Sequence, residues 1–509
     1  MTQLSRRDIL KLMTLASASL AARPLASLLD RQADPESPHV IVFVFDAWSA
    51  AHMKMHGYPR MTMPHIERFA ERCHVYHNHY STGSFTVPGT ASLLTGLQPW
   101  EHRAIQLTAG GIAPKHETQN IFHLLADSHD GTAYAQNPYA DIFLYQFRRE
   151  LKRYIPQSQF NLNNNHVSNL SVFDNDHQIA FASFENNIFH NGKGASGSLY
   201  LGMLSRLGEL SEYASLRREH IREYPAGLPV ASGHFLLDMV ADGMIDAMRQ
   251  FTSPTMAYFH VFPPHAPYAP KRDYAGLFED GWTSPEKPIH PLSLSRYSSA
   301  KMLTERLRYD QYLAAWDSEF ARVIKYLTTS GLLEKSIIII TSDHGELFER
   351  GEIEHNTSVL SSPVVHVPLL VSLPGQTQRK DIHAFTSSVD ILPTIANLTG
   401  TDSPQWGEGR LLPELGGEDN PSRSIFSMDA KSASSFAAIR QLSISITKQR
   451  HRLVHYQYPN YSGFEFYDMD NDADELTNLF PSAPSLAKQM KDELLQKMDE
   501  FNRPYQKKK

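Results

Sequence analysis

The chain has 509 residues, 41% hydrophobic and 20% charged, the proportions of a packed globular protein rather than a disordered one. Its net charge of -7 is mild for this length and excludes the basic footprint of a nucleic-acid binder. A single cysteine, Cys73, excludes an internal disulfide and a cysteine-rich metal site.

In chain order, residues 1–30 read as an export signal. Ser5-Arg6-Arg7-Asp8-Ile9-Leu10-Lys11 precedes a short apolar run to Ala22, with small residues up to Ala26 as cleavage points. The paired arginines are similar to a twin-arginine signal, which implies the twin-arginine export machinery as a partner and a periplasmic or extracellular location. The run is too short for a permanent membrane span, and no later segment is apolar enough for a stable transmembrane anchor.

Four apolar runs follow as strands: His39 to Phe45, Met256 to Phe262, Ile337 to Thr341 and Val367 to Ser372. Runs buried on both faces belong to a parallel sheet. The first ends at Asp46, the second at Pro263-Pro264-His265 and the third at Ser342-Asp343-His344-Gly345. Ligands of open α/β sheets bind beyond the carboxyl ends of the strands, so these three ends mark a candidate site. Between 305 and 329, Leu313, Trp316, Phe320, Val323, Ile324 and Leu327 form one apolar helical face, with Gly331 as its stop. Residues 150–250 show few clean periods and are expected to be an irregular insertion that shapes the substrate mouth. From 425 to 509 the chain changes character. Ser434 to Arg440, Leu442 to Lys448 and Arg452 to Tyr458 predict a small antiparallel sheet, and a helix is expected over about 484–501.

The richest stretch is Ser81 to Gly96. Pro88 fits the first turn of a helix and Gly96 its end, which puts Thr86 just before a helix N-terminus. A hydroxyl there, touching a metal, can ionise and attack phosphorus or sulfur. Taken alone, these residues favour a plain helix cap at Thr86.

Thr86-x-Pro88-x-Thr90-Ala91-Ser92-Leu93-Leu94-Thr95-Gly96 resembles the signature of the sulfatase family, within the alkaline phosphatase superfamily. Further matches follow in the right order over about 38–480. They are the strand ending at Asp46, Gly57-Tyr58-Pro59-Arg60, Pro264-His265-Ala266-Pro267-Tyr268, Ser342-Asp343-His344-Gly345-Glu346 with Gly351 and His355, and Phe466-Tyr467-Asp468-Met469. The resemblance implies an α/β fold: a large, mostly parallel mixed sheet sandwiched by helices over 38–424, with a small antiparallel sheet and helix over 425–509. It also implies a sulfatase-like hydrolase or transferase acting on phosphate or sulfate esters.

Several departures narrow this expectation. Sulfatases convert a cysteine or serine to formylglycine, and position 86 is threonine. The maturation motif has arginine where this chain has Thr90. The usual second acidic residue is here Ala47, and the arginine often seen three positions after the first aspartate is Ser49. The remaining set, Asp46, Thr86, Asp343 and His344, is similar to that of phosphoglycerol and phosphoethanolamine transferases, which use a threonine nucleophile. The resemblance implies one divalent metal ion on these four residues, as manganese, magnesium, calcium or zinc. It implies Thr86 as covalent nucleophile, and His265 and His355 as groups that hold anionic oxygens or protonate the leaving group. The partner is an anionic ester: a small molecule, a glycan or a lipid headgroup. Three alternatives stand beside a phosphoester hydrolase: a sulfuric ester hydrolase without formylglycine, a phosphotransferase, and a non-catalytic member that binds an anion.

Overall fold

A computed structural model describes residues 37–107, 111–163, 199–482 and 484–506. The expected export signal lies outside the described residues. The main sheet is built from β1 (His39–Phe45), β2 (His74–Tyr80), β3 (Asp130–Ala135), β4 (Leu151–Tyr154), β5 (Thr255–Val261), β6 (Ser336–Thr341), β9 (Leu369–Ser372) and β10 (Lys380–Ser387). A short hairpin, β7 (Phe348–Glu349) with β8 (Glu352–Ile353), lies between β6 and β9. The strand order is β10-β2-β9-β6-β1-β5-β3-β4. Every neighbouring pair is parallel except those made by β9, which runs antiparallel to both β2 and β6. The chain leaves β6 and returns beside it as β9 through loops, the small hairpin and the one-turn helix Ser362–Val365. It lacks the long crossover helix that a parallel neighbour needs.

Strand β1 shows why its sequence is apolar throughout. Ile41, Phe43 and Phe45 enter one core, and Val40, Val42 and Val44 enter the other. The first core contains Trp316 and Phe320 of the helix Ser299–Thr329; Phe320 meets Phe43 edge-on with ring centroids 5.2 Å apart. The second contains Phe85, Val87, Ala91 and Leu94 from the start and body of the helix Thr86–Thr95. Helices therefore cover both faces, as a mixed α/β sandwich requires.

The expectation of irregular chain over 150–250 is corrected for its described parts. Leu151–Tyr154 is the edge strand β4, paired in parallel with β3. Leu199–His220 and Leu237–Met248 are helices. Strand β4 is only half-buried, so it lacks the continuous apolar run of the central strands. In the second helix, Leu237, Val240, Ala241, Met244, Ile245 and Met248 do recur at helical steps and are buried in the first core.

The second sheet is antiparallel, in the order β11 (Ile425–Asp429), β12 (Leu442–Lys448), β13 (His451–Tyr458), β14 (Tyr461–Asp468). The helix Ser485–Asn502 buries Ala487, Met490 and Leu494 against it. The strand expected at Ser434–Arg440 is a loop. Its carbonyls at Ser434, Ser435 and Ala437 accept hydrogen bonds from Arg103, so they are committed to a guanidinium instead of a ladder. Strand β11 pairs with β12 in its place. The two sheets meet at the segment before Thr86: the Met428 amide donates to the Thr82 carbonyl at 2.8 Å, and the Ser427 hydroxyl donates to the Ser81 carbonyl at 2.6 Å.

Candidate active site

Five strand ends supply the site. Asp46 follows β1, Asn137 follows β3, His260 is the penultimate residue of β5, and Asp343 and His344 follow β6. Val44 pairs with both His260 and Thr341, and Ala135 pairs with His260, so these ends lie level at one edge of the sheet. The fifth is the end of β2, from which Ser81–Phe85 leads into the helix Thr86–Thr95.

Thr86 is the first residue of that helix. Phe85 occupies the N-cap position in extended conformation, without a side-chain cap. The Thr86 hydroxyl therefore does not act as a cap: it lies 3.3 Å from His344 Nε2 and accepts from Asn137 Nδ2 at 3.2 Å. Gly96 ends the helix with φ 69°, as its position suggested. The helix rests directly on the loop that follows β6. A Cβ on Gly89 would stand 2.1 Å from the Asp343 carbonyl oxygen, and that same oxygen accepts a hydrogen bond from the Ser81 hydroxyl.

The structure brings Asp46, Thr86, Asp343 and His344 together, all buried. His344 Nε2 is 3.3 Å from Asp46 Oδ1 and 3.6 Å from Asp343 Oδ2. On the other side, His260 Nε2 is 3.3 Å from Asp46 Oδ2 and 3.6 Å from Asp343 Oδ2. Asn137 Nδ2 donates to Asp46 Oδ2 at 2.6 Å. His265 and His355 stand one ring further out. The His344 and His355 centroids are 4.2 Å apart, and those of His355 and His265 4.7 Å. His355 Nδ1 is 3.0 Å from Glu346 Oε1. Lys431 lies over the Phe85 ring, with Nζ 5.1 Å from its centroid, and pairs with Asp429 Oδ2 at 3.0 Å.

The charges are mutually arranged. Burial alone would raise the Asp46 carboxyl, but the facing imidazoles of His265, His260 and His344 hold it well below the usual carboxylate range. Burial and the Asp46 charge push Asp343 up. Burial would lower His344, but the Asp343 and Asp46 carboxylates raise it to about 9. Burial pushes Glu346 up to about 7 against the pull of His265 and His344. Burial and the neighbouring His344 hold His355 well below an ordinary histidine, and burial lowers His265 despite Asp46.

These residues fit a divalent cation. Asp46 Oδ1 and His260 Nε2 are buried with no hydrogen-bond partner, a costly state for polar atoms unless something else binds them. One donor atom each from Asp46, His260 and Asp343 lies within 4.8 Å of the others. Carboxylate, hydroxyl and imidazole donors suit a hard or borderline ion.

The sequence gives no sign of His260 or Asn137 as site residues, and it carries Glu346 only inside a matched motif, without a role. His260 sits in a run whose two faces are both buried, which hides the period-2 parity. That parity places His260 with Met256 and Tyr258, on the face of the Thr86 helix, while Ala257, Phe259 and Val261 enter the other core. Asn137 is readable as an N-cap before Pro138, and it does accept from the Tyr139 amide at 2.9 Å; its second role on Asp46 left no local signal.

A family model described as Sulfatase matches residues 38–401. Another, described as N-sulphoglucosamine sulphohydrolase, C-terminal, matches residues 355–502. The chain is 22% identical over 409 residues to an ulvan-active sulfatase of Formosa agariphila, covering 78% of this chain and 68% of that protein. It is 26% identical over 231 residues to arylsulfatase K of Bos taurus, covering 42% of this chain and 41% of that protein. Among solved structures, a phosphonate monoester hydrolase of Agrobacterium radiobacter superposes with TM-score 0.63 at 17% identity, covering 91% of this chain and 96% of that one. A 2-O GAG sulfatase superposes with TM-score 0.63 at 16% identity, covering 92% and 94%. These two likenesses carry the fold.

Proposed function

Because the chain belongs to the sulfatase family and is a sulfatase-like enzyme for sulfate or phosphate ester bonds, we propose that it hydrolyses an ester bearing a single negative charge at the reacting centre, with Thr86 as covalent nucleophile. Sulfate monoesters, phosphate diesters and phosphonate monoesters all meet that description. The observation that carries the reading is the Thr86 hydroxyl, freed from helix capping and set 3.3 Å from His344 Nε2 beside the Asp46–Asp343 pair.

Charge balance supports the substrate class. Among the described residues, no lysine or arginine hydrogen-bonds to Asp46, Thr86, Asp343 or His344; their partners are imidazoles, amides and hydroxyls. Two carboxylates neutralise one divalent cation, so little positive charge is left over for a dianion. A phosphate monoester would enter less well than a monoanion.

Asp46, Thr86, Asp343 and His344 would hold one divalent ion, which would lower the pKa of the Thr86 hydroxyl and polarise an ester oxygen. Thr86 Oγ1, its proton lost to solvent, attacks sulfur or phosphorus; the bond to the leaving oxygen breaks and a threonyl ester remains. The leaving oxygen takes a proton from His355 Nε2 while His355 Nδ1 takes one from Glu346, whose buried carboxyl retains its proton up to about pH 7. Water then gives its proton back along the same pair, attacks the threonyl ester and releases Thr86. His265 is proposed to hold an anionic oxygen. Export of the chain through the twin-arginine route is part of the same proposal, motivated by Arg6 and Arg7; among the described residues no helix is long and apolar enough to cross a membrane.

The test is turnover of matched chromogenic sulfate monoester, phosphate diester, phosphonate monoester and phosphate monoester substrates with divalent metal. The expected result is turnover of at least one monoanionic ester above the phosphate monoester, reduced by ~10³-fold or more in Thr86→Ala. Equal turnover by Thr86→Ala would refute the nucleophile, and a preference for the phosphate monoester would refute the substrate class.

A further inference from the structure

We infer that His260 is a fifth protein ligand of the cation, and that it tunes the site toward a borderline transition ion such as zinc over calcium or magnesium. This rests on the metal reading above. The residue after Asp46 is Ala47, which has no side-chain donor, so β1 supplies one carboxylate only.

His260 is fully buried, and its Nε2 has no hydrogen-bond partner. That nitrogen nevertheless faces Asp46 Oδ2 at 3.3 Å and Asp343 Oδ2 at 3.6 Å. Donors bound to one ion at ~2.0–2.2 Å stand about 3.0–3.5 Å from one another, so the three atoms already keep the spacing of a shared coordination sphere. The far side of the ring fixes its orientation: His260 Nδ1 is 3.2 Å from the Tyr258 hydroxyl, two residues earlier on the same face of β5. In the tautomer that carries its proton on Nδ1 and donates it to that hydroxyl, the Nε2 lone pair points between two carboxylates, an arrangement that a cation lying there would stabilise.

The donor set then becomes two imidazoles, two carboxylates and a hydroxyl. Asp46 spans it, with Oδ1 toward His344 and Oδ2 toward His260. Calcium and magnesium favour all-oxygen spheres, whereas two imidazole donors suit zinc.

The test counts nitrogens. The full chain, stripped of metal and reloaded with Mn(II), is examined by pulsed electron paramagnetic resonance with ¹⁵N-histidine labelling, and Mn(II) affinity is measured by calorimetry. Two coupled imidazoles are expected in the unsubstituted protein. His260→Gln is expected to show one, with affinity weakened by ~10-fold or more. One imidazole in the unsubstituted protein overturns the inference whether or not the variant folds, as does unchanged affinity in His260→Gln. Asp343→Asn separates the two layers. Mn(II) binding that Asp343→Asn abolishes and His260→Gln leaves intact removes His260 alone; no Mn(II) binding by the unsubstituted protein removes the metal reading with it.

Discussion

Asn137 joins two groups that the proposed chemistry keeps in register. Its amide donates to Asp46 Oδ2 and to Thr86 Oγ1, at 2.6 and 3.2 Å. Asn137→Ala leaves a buried carboxylate oxygen and the nucleophile without that donor. A lost charge-assisted hydrogen bond of about 1.5–3 kcal/mol corresponds to a fall in kcat/KM of roughly 10- to 100-fold; steady-state kinetics on the preferred ester would check it, and unchanged kinetics would deny Asn137 this role. At this scale the sequence was partly legible. Asp46, Asp343 and His344 stand where apolar strands stop, and a strand end can be read in one dimension. Thr86 needed the family resemblance, since its local pattern fits a cap equally well. His260 and Asn137 were hidden because their site roles depend on partners 51 to 214 residues away and on the facing of a strand buried on both sides. Glu346 sits inside a matched motif, yet its pairing with His355 across the hairpin appears only in three dimensions.

Among elements, the helix Thr86–Thr95 is pressed against the loop that follows β6. Gly89→Ala would drive a Cβ to 2.1 Å from the Asp343 carbonyl oxygen, a backbone atom that cannot swing aside as a side chain would. The expected cost is ~1–3 kcal/mol or more, seen as a lowered Tm, together with weakened metal binding because Asp343 must shift. A second element tie lies across the first core. The short helix Pro64–Ala70 has no side-chain cap of its own. Asp317, on the helix Ser299–Thr329, accepts from the His65 and Ile66 amides at 2.8 and 2.9 Å and serves as that cap from outside. Burial pushes its carboxyl up to about 7 in spite of these two donors. The folded state thus holds this proton more tightly than the unfolded chain, whose aspartates titrate near roughly 4. Stability from this group is present at acid pH and is lost as pH rises from roughly 4 to about 7, with a slope of at most ~1.4 kcal/mol per unit. Asp317→Asn is expected to flatten that part of the profile in urea titrations at stepped pH; an unchanged profile would show that Asp317 is ionised throughout. The central strands were legible as elements because double burial makes them apolar end to end. The edge strand β4 and the position of β11 were not, since a half-exposed strand carries no such run and Ser434–Arg440 has the composition of a strand without its hydrogen-bond partners.

For the whole molecule, the C-terminal sheet helps to hold the loop that bears His355. Arg452 of β13 is fully buried; it donates to Glu475 Oε1 at 2.6 Å and to the Leu360 carbonyl at 2.7 Å. Arg452→Ala strands Glu475 in the interior, an effect of about 3–5 kcal/mol, and frees the 354–362 segment. Chemical denaturation should report the loss of stability, and the surviving folded fraction should show a lower kcat; a stability change within ~0.5 kcal/mol would mean the two sheets are energetically independent. The α/β class and the order of the two sheets followed from the arrangement of apolar runs, while the antiparallel β9 depended on a connection whose path only the folded chain reveals. The proposed chemistry turns on the Thr86 hydroxyl, so the most direct measurement is to quench the enzyme with acid during turnover of its preferred monoanionic ester and map the peptide that contains Thr86 by mass spectrometry. The account predicts a sulfuryl or phosphoryl adduct on Thr86 that disappears on chase with water, and turnover with Thr86 never modified under single-turnover conditions would contradict it.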